Sequence, residues 1–238
     1  AYAPSLGVQR LPPAHKRAAI RRALAGFRWV SVREESGRQV LRRITRREDI
    51  AVVLDPVCLL PAEHWLRIAS PAPRQRPYVL CYFLGNHAGC YRTVEFIAES
   101  MQLDILVAPV TRESYRLPYT VLGGLTPQEW LGYIAGARYV ITDSFHCIAF
   151  SVLFQRDFLF VRRDGDADPK SRNSRIMDFL HLLGAQQAAR KGGWAAITAN
   201  LEKQRKEGHH GHNQCRNDGK CIKVKIDAER RLPATHCD

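Results

Sequence analysis

The sequence lacks several features that would assign it to a class of protein at once. Its 238 residues contain no run of about 18 apolar residues, which excludes a predicted transmembrane helix. The N-terminus has neither an initiator methionine nor the basic-then-apolar order of a signal peptide. We therefore expect a cytoplasmic protein, and a chain that begins inside a longer one.

Motifs for common cofactors are also missing. There is no Gly-x-Gly-x-x-Gly fingerprint and no Walker-type loop, so nothing supports the binding of nicotinamide, flavin or ATP. No Cys-x-x-Cys pair occurs, even in the tail that contains Cys215 and Cys221 six residues apart among several histidines. Zinc sites are built from closely spaced pairs of such ligands. We accordingly predict neither a cofactor nor a metal ion.

A disulfide framework is not expected either. Seven cysteines make an odd number, and four of them stand singly in apolar or mixed segments: Cys58, Cys81, Cys90 and Cys147. This distribution is typical of reduced, buried thiols in a cytoplasmic protein.

Acidic residues are fewer than basic ones. The chain has 36 Lys+Arg against 23 Asp+Glu, a formal charge of +13, and residues 1–50 hold twelve basic side chains against four acidic ones. Such a block is compatible with nucleic acid, an anionic membrane surface or anionic small substrates as partners. Most of these arginines fall in amphipathic helical patterns, for which a solvated face is the simpler interpretation.

Strand-like and helix-like segments alternate along the chain. Apolar, β-branched runs predict strands at 27–33, 50–56, 78–85, 103–109, 138–143 and 157–163, and amphipathic spacing predicts helices at 13–25, 35–44, 89–101, 126–136, 146–154, 174–184 and 194–206. Thr126, Pro127 and Glu129 form a capping-box pattern at the start of one helix. The alternation predicts an α/β fold with parallel strands.

Polar residues follow the predicted strand at 138–143. Asp143, Ser144 and His146 lie where that strand ends and the next helix begins, which is where ligands bind in open α/β sheets. Backbone N–H groups at a helix N-terminus attract phosphate or carboxylate, and a histidine exchanges protons near neutral pH. A histidine that merely caps the junction is an equally good interpretation from position alone.

Three linked segments resemble the polysaccharide pyruvyl transferase family. They are WVSVREESGRQVLRRI, then VVLDPVCLL, and the run from Trp130 to Phe158 with YVITDSFH at its centre. The resemblance covers about 2–206. It implies two Rossmann-like domains of glycosyltransferase-B type with a cleft between them, the first domain incomplete in this chain. It also implies transfer of a pyruvyl group from phosphoenolpyruvate (PEP) onto sugar hydroxyls, forming a pyruvate ketal and releasing phosphate.

The resemblance also implies roles for individual residues. His146 would contact PEP and act as acid or base, with Ser144 and Phe145 of the same motif beside the substrate. Arg33 would bind the anionic donor, since arginine forks clamp phosphate and carboxylate groups. Asp143 would orient His146 or hydrogen-bond the acceptor sugar, and helix capping is its alternative role.

Arg175, at the start of a predicted helix, is a second candidate clamp for PEP, and a solvated arginine is the alternative. The motif also departs from the family. Many relatives carry Arg-Leu in place of Ser144 and Phe145, so one anion-binding arginine is missing, and Cys147 replaces a smaller residue. The larger side chain of Cys147 would crowd a close approach of the donor.

The proline-containing segment SPAPRQRP suggests the domain boundary. We predict the C-terminal part of a first Rossmann-like domain at 1–70, a linker at 71–77, a second Rossmann-like domain at 78–207 and a divergent tail at 208–238. The expected partners are PEP and a glycan or lipid-linked sugar acceptor, without specific nucleic acid. Peripheral contact with an anionic membrane surface, at the inner face of the membrane, is a further expectation.

Two other functions remain open at this level. A nucleotide-sugar glycosyltransferase of similar fold would need an acidic residue that binds ribose or base, and none is identified. A truncated, inactive domain that binds anions through its arginine-rich front would bind generic DNA with steep salt dependence.

Overall fold

The computed structural model describes residues 2–7, 11–73, 76–163 and 173–185. These residues group into two compact units, which are described separately. The first unit combines Ala1–Leu59 with a C-terminal part of the chain, of which 173–185 are described. The described part of the second unit is Leu60–Arg163. The predicted helix at 194–206 and the tail at 208–238 lie outside the described residues, and the predicted domain bounds stay a prediction.

Helices and strands alternate in the described residues, as the sequence predicts. The helices are α1 Ala14–Ala25, α2 Glu35–Thr45, α3 Ala62–Ile68, α4 Tyr91–Met101, α5 Pro127–Gly136, α6 Phe145–Leu153 and α7 Ser174–Leu182, with short 3₁₀ helices at Pro56–Cys58, Ala88–Cys90 and Glu113–Arg116. The strands are β1 Val30–Val32, β2 Ile50–Val52, β3 Tyr78–Tyr82, β4 Asp104–Val107, β5 Thr120–Val121, β6 Tyr139–Thr142 and β7 Asp157–Phe160. The sequence predicted neither helix α3 nor strand β5, and the two residues of β5 are too few to leave an alternating pattern.

The first unit contains a two-stranded parallel sheet. β1 pairs with β2 in a register that places Val32 opposite Val52. Helix α2 connects the two strands and buries Val40, Leu41 and Ile44 in their common core. Parallel strands that are joined by a helix end at the same edge of the sheet. Residues that follow β1 and β2 therefore lie side by side.

The second unit contains a five-stranded parallel sheet with the strand order β5-β4-β3-β6-β7. Numbered from the first strand of this unit, that order is 3-2-1-4-5, which is the strand order of a Rossmann fold without its sixth strand. β3 pairs with β4 on one side and with β6 on the other. The chain therefore runs from β3 through β4 to β5 at one edge of the sheet, and then returns to place β6 on the other side of β3.

Helices cover both faces of this sheet. Val79 and Cys81 of β3 pack in one core with Val94 and Ile97 of α4. The hydroxyl of Tyr78 donates to the carbonyl oxygen of Tyr133 in α5 at 2.7 Å. Successive residues of a strand point to opposite faces, so α4 and α5 lie on opposite faces of the sheet. The unit is a doubly wound α/β structure.

The segment before β3 packs against α5. The N–H of Ser70 donates to the carbonyl oxygen of Gln128 at 2.9 Å. A Cβ atom at Gly132 would lie 1.6 Å from the carbonyl oxygen of Ser70. Glycine is thus required at this point of α5 because the backbone of Ser70 occupies the space of a side chain. The proline-rich composition of 70–77 gave no sign of this packing.

Two predicted absences can be compared with the described residues. No helix among them is long and apolar enough to cross a membrane. The four described cysteines, Cys58, Cys81, Cys90 and Cys147, are buried, as predicted, and their thiols are free.

Candidate functional site

The candidate site in the second unit lies at the carboxyl ends of β3 and β6. The chain continues from β3 toward β4 and from β6 toward β7, so its two connections diverge at this point. Ligands of doubly wound sheets bind where the strand order reverses in this way. Asp143, Ser144, Phe145 and His146 follow β6 here, and the loop at 83–87 follows β3.

His146 is the exposed member of the predicted motif. Ser144 is the N-cap of α6: its Oγ accepts a hydrogen bond from the N–H of Cys147 at 3.4 Å. Phe145 is 2% exposed, and its ring contacts the imidazole of His146 edge-on with 5.4 Å between centroids. A capped helix end and a buried phenyl ring therefore support the imidazole at the surface.

Asp143 is a buried carboxylate with four hydrogen-bond donors. The N–H groups of Leu84 and Gly85 donate to it at 2.7 and 3.0 Å. Nε2 of His87 and Nε of Arg163 lie 3.0 and 2.9 Å from its Oδ2. The side chain thus joins the loop after β3, the end of β6 and the end of β7. Ser144, not Asp143, is the residue that caps α6.

The surroundings keep Asp143 ionised. Burial alone would raise its pKa, but hydrogen bonds from His87, Leu84 and Arg163 outweigh burial and lower the pKa to about 2. Gly85 closes the cluster, since a Cβ atom there would lie 3.2 Å from Nε2 of His87 and 3.3 Å from Oδ2 of Asp143. A side chain at position 85 would therefore require the His87 and Asp143 side chains to shift by a few tenths of an ångström.

Cys147 does not project toward the surface of this site. Its side chain is fully buried, and burial raises the pKa of the thiol to about 12. The expectation that its larger side chain crowds the donor is wrong, because the thiol points into the core of the unit.

In the first unit, one ion pair joins two of the segments that carry the family resemblance. Arg33 follows β1, and its guanidinium group pairs with the carboxylate of Asp55, which follows β2. Asp55 is 2% exposed and also accepts a hydrogen bond from the N–H of Val57 at 3.0 Å. The carboxylate fixes the direction of the Arg33 side chain, which is 19% exposed.

Glu34 and Gly37 of the VREESG segment have structural roles that the sequence did not reveal. Oε1 of Glu34 accepts hydrogen bonds from the Oγ of Ser5 and from the N–H groups of Leu6 and Gly7, at 2.8, 2.8 and 3.0 Å. A Cβ atom at Gly37 would lie 3.1 Å from Cγ of Glu34. Gly37 therefore makes room for the carboxylate that holds residues 5–7.

Arg175 lies in the first turn of α7, in the same unit as Arg33, and is half-buried. The helix is fixed to the start of α2, where the N–H and the hydroxyl of Ser36 donate to Oδ2 of Asp178 at 2.9 and 2.8 Å. Burial raises the pKa of Asp178 more than these hydrogen bonds lower it. The predicted clamp residue thus stands on a helix that is anchored to the VREESG segment.

His87 and Arg163 are the residues of the candidate site that the sequence analysis missed. Neither belongs to a recognisable motif, and each follows a strand at the same edge of the sheet as Asp143. Only the order of the strands brings them together, and that order cannot be seen in the sequence. The one available signal was a polar side chain within a few residues of each strand end, since His87 follows the last residue of β3 by five positions and Arg163 follows that of β7 by three. Among the described residues, no group of three or more His, Cys, Asp or Glu side chains is arranged to hold a metal ion.

Fold and site together define an α/β protein with a Rossmann-type sheet and a histidine at the switch point, which is the place between β3 and β6 where the strand order reverses. A family model described as polysaccharide pyruvyl transferase matches residues 1–165, well over half of the sequence. The chain belongs to the polysaccharide pyruvyl transferase family.

Other comparisons are more distant. No curated protein matches the sequence. Among solved structures, the UDP-GlcNAc 2-epimerase of Methanocaldococcus jannaschii, in complex with UDP-GlcNAc and UDP, is similar at 14% identity and a TM-score of 0.46. The similarity covers 74% of this chain and 55% of the epimerase chain, so the chain spans about half the length of that enzyme.

Proposed function

We propose that this protein transfers a pyruvyl group from PEP onto two hydroxyls of a sugar, in a cell-surface polysaccharide or its lipid-linked precursor. The observation that carries the proposal is the family match over residues 1–165, which includes the exposed His146 at the switch point. PEP serves as the donor substrate, and no other cofactor is needed.

The reaction has a defined balance of bonds and protons. Two sugar oxygens form bonds to C2 of PEP, and the bond from C2 to the phosphate oxygen breaks. The C2–C3 double bond becomes a single bond as C3 gains a proton and becomes a methyl group. Of the two protons that the hydroxyls lose, one is balanced by the proton added to C3 and the other leaves with phosphate. The protein must therefore both deliver and remove protons.

His146 is the proposed acid or base in this scheme. Its exposed imidazole stands in the first turn of α6, where the helix dipole favours a nearby anion. The side chains of Ser144 and Phe145 are 4% and 2% exposed, so we propose that they serve the donor by shaping this helix end. Asp143 fixes the loop after β3 beside it.

Arg33 and Arg175 are the proposed ligands for the anionic groups of PEP. Asp55 holds Arg33, and the anchoring of α7 through Asp178 places Arg175. An arginine whose guanidinium group is already oriented loses less side-chain entropy when it binds a phosphate or carboxylate. We further propose that the protein is cytoplasmic, with peripheral contact between its basic residues and the anionic inner face of the membrane.

A ligand panel tests the choice of donor. PEP, inorganic phosphate and several nucleotide sugars are compared by their effect on the thermal unfolding of the full-length protein. We expect PEP to raise the unfolding temperature in a concentration-dependent way, because it binds the folded state alone. Stabilisation by a nucleotide sugar without any effect of PEP would overturn the proposal in favour of a glycosyltransferase.

A variant tests the role of His146. We expect His146→Ala to lower kcat for phosphate release from PEP by about 10²-fold or more, the usual contribution of an acid or base. His64→Ala is the matched control, because His64 is an exposed histidine of α3 in the same unit. Equal loss in both variants would show that the effect is not specific to the site.

A further inference from the structure

The proposed reaction requires proton transfer at two positions, C3 of PEP and the attacking hydroxyls. A single imidazole serves one of these positions at a time, so a second group is needed. We propose that His87 is this second proton-transfer residue and that Asp143 is its positioning residue. The inference rests on the proposed function.

The location of His87 supports this role. It stands in the loop after β3, while His146 stands at the start of the helix that follows β6, and the two strands are neighbours in the sheet. Tyr82, the last residue of β3, is opposite Thr142, the last residue of β6. Both histidines therefore belong to the carboxyl edge of the sheet at its switch point, where substrates of this fold bind.

The hydrogen bond to Asp143 sets the tautomer of His87. An ionised carboxylate only accepts hydrogen bonds, so Nε2, 3.0 Å from Oδ2 of Asp143, carries a proton. In the neutral ring Nδ1 then holds the lone pair and acts as the base. The same carboxylate stabilises the imidazolium that forms when Nδ1 takes a proton, as in other carboxylate–histidine pairs.

The surroundings hold the ring in one orientation. The His87 side chain is 8% exposed, and its ring packs on Phe83 with 5.1 Å between centroids. Among the described residues, the ionisable groups near this ring are Asp143 after β6, Arg163 after β7, and Tyr91 of α4, which lies beyond Phe83. Arg163 is paired with Asp143, and burial raises the pKa of Tyr91. Asp143 is thus the charge that acts most directly on the imidazole.

Two amide variants separate proton transfer from a purely structural hydrogen bond. In His87→Gln the amide nitrogen replaces Nε2 and keeps the donor to Asp143, whereas in His87→Asn the shorter side chain loses it. We expect His87→Gln to unfold at the wild-type temperature but to lower kcat about 10²-fold, with little change in KM for PEP. The variant should also lose the fall of kcat at low pH, because a base that must be neutral is gone. Added imidazole should restore part of the rate to His87→Ala.

The outcomes distinguish this inference from the function beneath it. If His87→Gln matches His64→Gln, the exposed control, in both kcat and pH profile, then His87 is structural and the inference fails while the proposed function stands. If the wild-type protein makes no ketal from PEP, both fail.

Nuclear magnetic resonance of ¹⁵N-histidine-labelled protein gives a readout without turnover. A lone pair on Nδ1 of neutral His87 supports the assignment, and a lone pair on Nε2 contradicts it.

Discussion

Asp143 is the residue on which the candidate site depends most. Its carboxylate connects three chain segments at the switch point. It is fully buried, and its ionic partner is Arg163. Removing one member of a buried ion pair leaves the other charge without compensation. We therefore expect the residue to act on stability, and we propose that it acts on the chemistry through His87.

The first prediction at this scale concerns the loss of that charge. Asp143→Asn should lower the free energy of unfolding by about 3 kcal/mol, the usual cost of breaking a buried ion pair. Denaturation by urea measures it. Asp157→Asn is the control, since its partner Arg138 is 51% exposed and such pairs contribute about 1 kcal/mol or less. Equal effects in the two variants would refute the account of the cluster.

The second prediction concerns pH. Folding lowers the pKa of Asp143 from 3.8 to about 2, so its stabilising effect is complete above the higher value. As pH falls through this interval the unfolded state gains the proton first, and the stabilisation is lost. The difference in unfolding free energy between wild type and Asp143→Asn should shrink over the same interval. A difference that stays constant there would contradict the lowered pKa.

At the scale of elements, packing of the chain before β3 on α5 is the feature most open to a test. Substitution of an exposed glycine inside a helix by alanine usually raises the free energy of unfolding by about 0.5–1 kcal/mol. At Gly132 the added Cβ would instead meet the carbonyl oxygen of Ser70. Gly132→Ala should therefore destabilise the protein by about 1–3 kcal/mol, the typical cost of overpacking.

Gly89→Ala is the matched control for this experiment. Gly89 lies in the 3₁₀ helix Ala88–Cys90, and a Cβ atom there would meet nothing within 4 Å. Its unfolding free energy should stay within about 0.5 kcal/mol of wild type. A stable Gly132→Ala protein would mean that the segment at 70–72 is not packed on α5.

Local signals in the sequence predicted most of the helices and strands, whereas contacts between residues far apart in the sequence left no signal. The capping box of Thr126 and Glu129 starts α5 as predicted, and Gly184 follows α7 with a positive φ of 63°. Both features depend on residues three or four positions apart. Gly132 gave no comparable signal, because its partner is Ser70, far away in the sequence. The role of Glu34 was hidden for the same reason, because its partners Ser5, Leu6 and Gly7 are distant in the sequence.

At the scale of the whole molecule, a solvated face explains only part of the basic block at 1–50: Arg22, Arg28, Arg43 and Arg46 are exposed, but other arginines are engaged with the backbone. Nε of Arg21 donates to the carbonyl oxygen of Ile44, and the guanidinium group of Arg47 donates to the carbonyl oxygens of Phe27 and Arg28. These two arginines therefore hold backbone segments of the first unit together. The sequence located the charge excess, but it did not show which side chains were engaged.

The family also follows from the sequence at this scale, because three linked segments carry it. The resemblance to polysaccharide pyruvyl transferases is confirmed over residues 1–165. The donor and the ketal chemistry are proposals that rest on it, and so are the roles of individual residues.

One measurement tests the central proposal most directly. The full-length protein is incubated with PEP and candidate glycan acceptors, and PEP consumed, phosphate released and ketal formed are each quantified. The account predicts equal amounts of all three, with the ketal methyl group visible by nuclear magnetic resonance of the product. It also predicts that the signal is lost in His146→Ala. Phosphate release without ketal formation, or a ketal that still forms at the wild-type rate in His146→Ala, would contradict it.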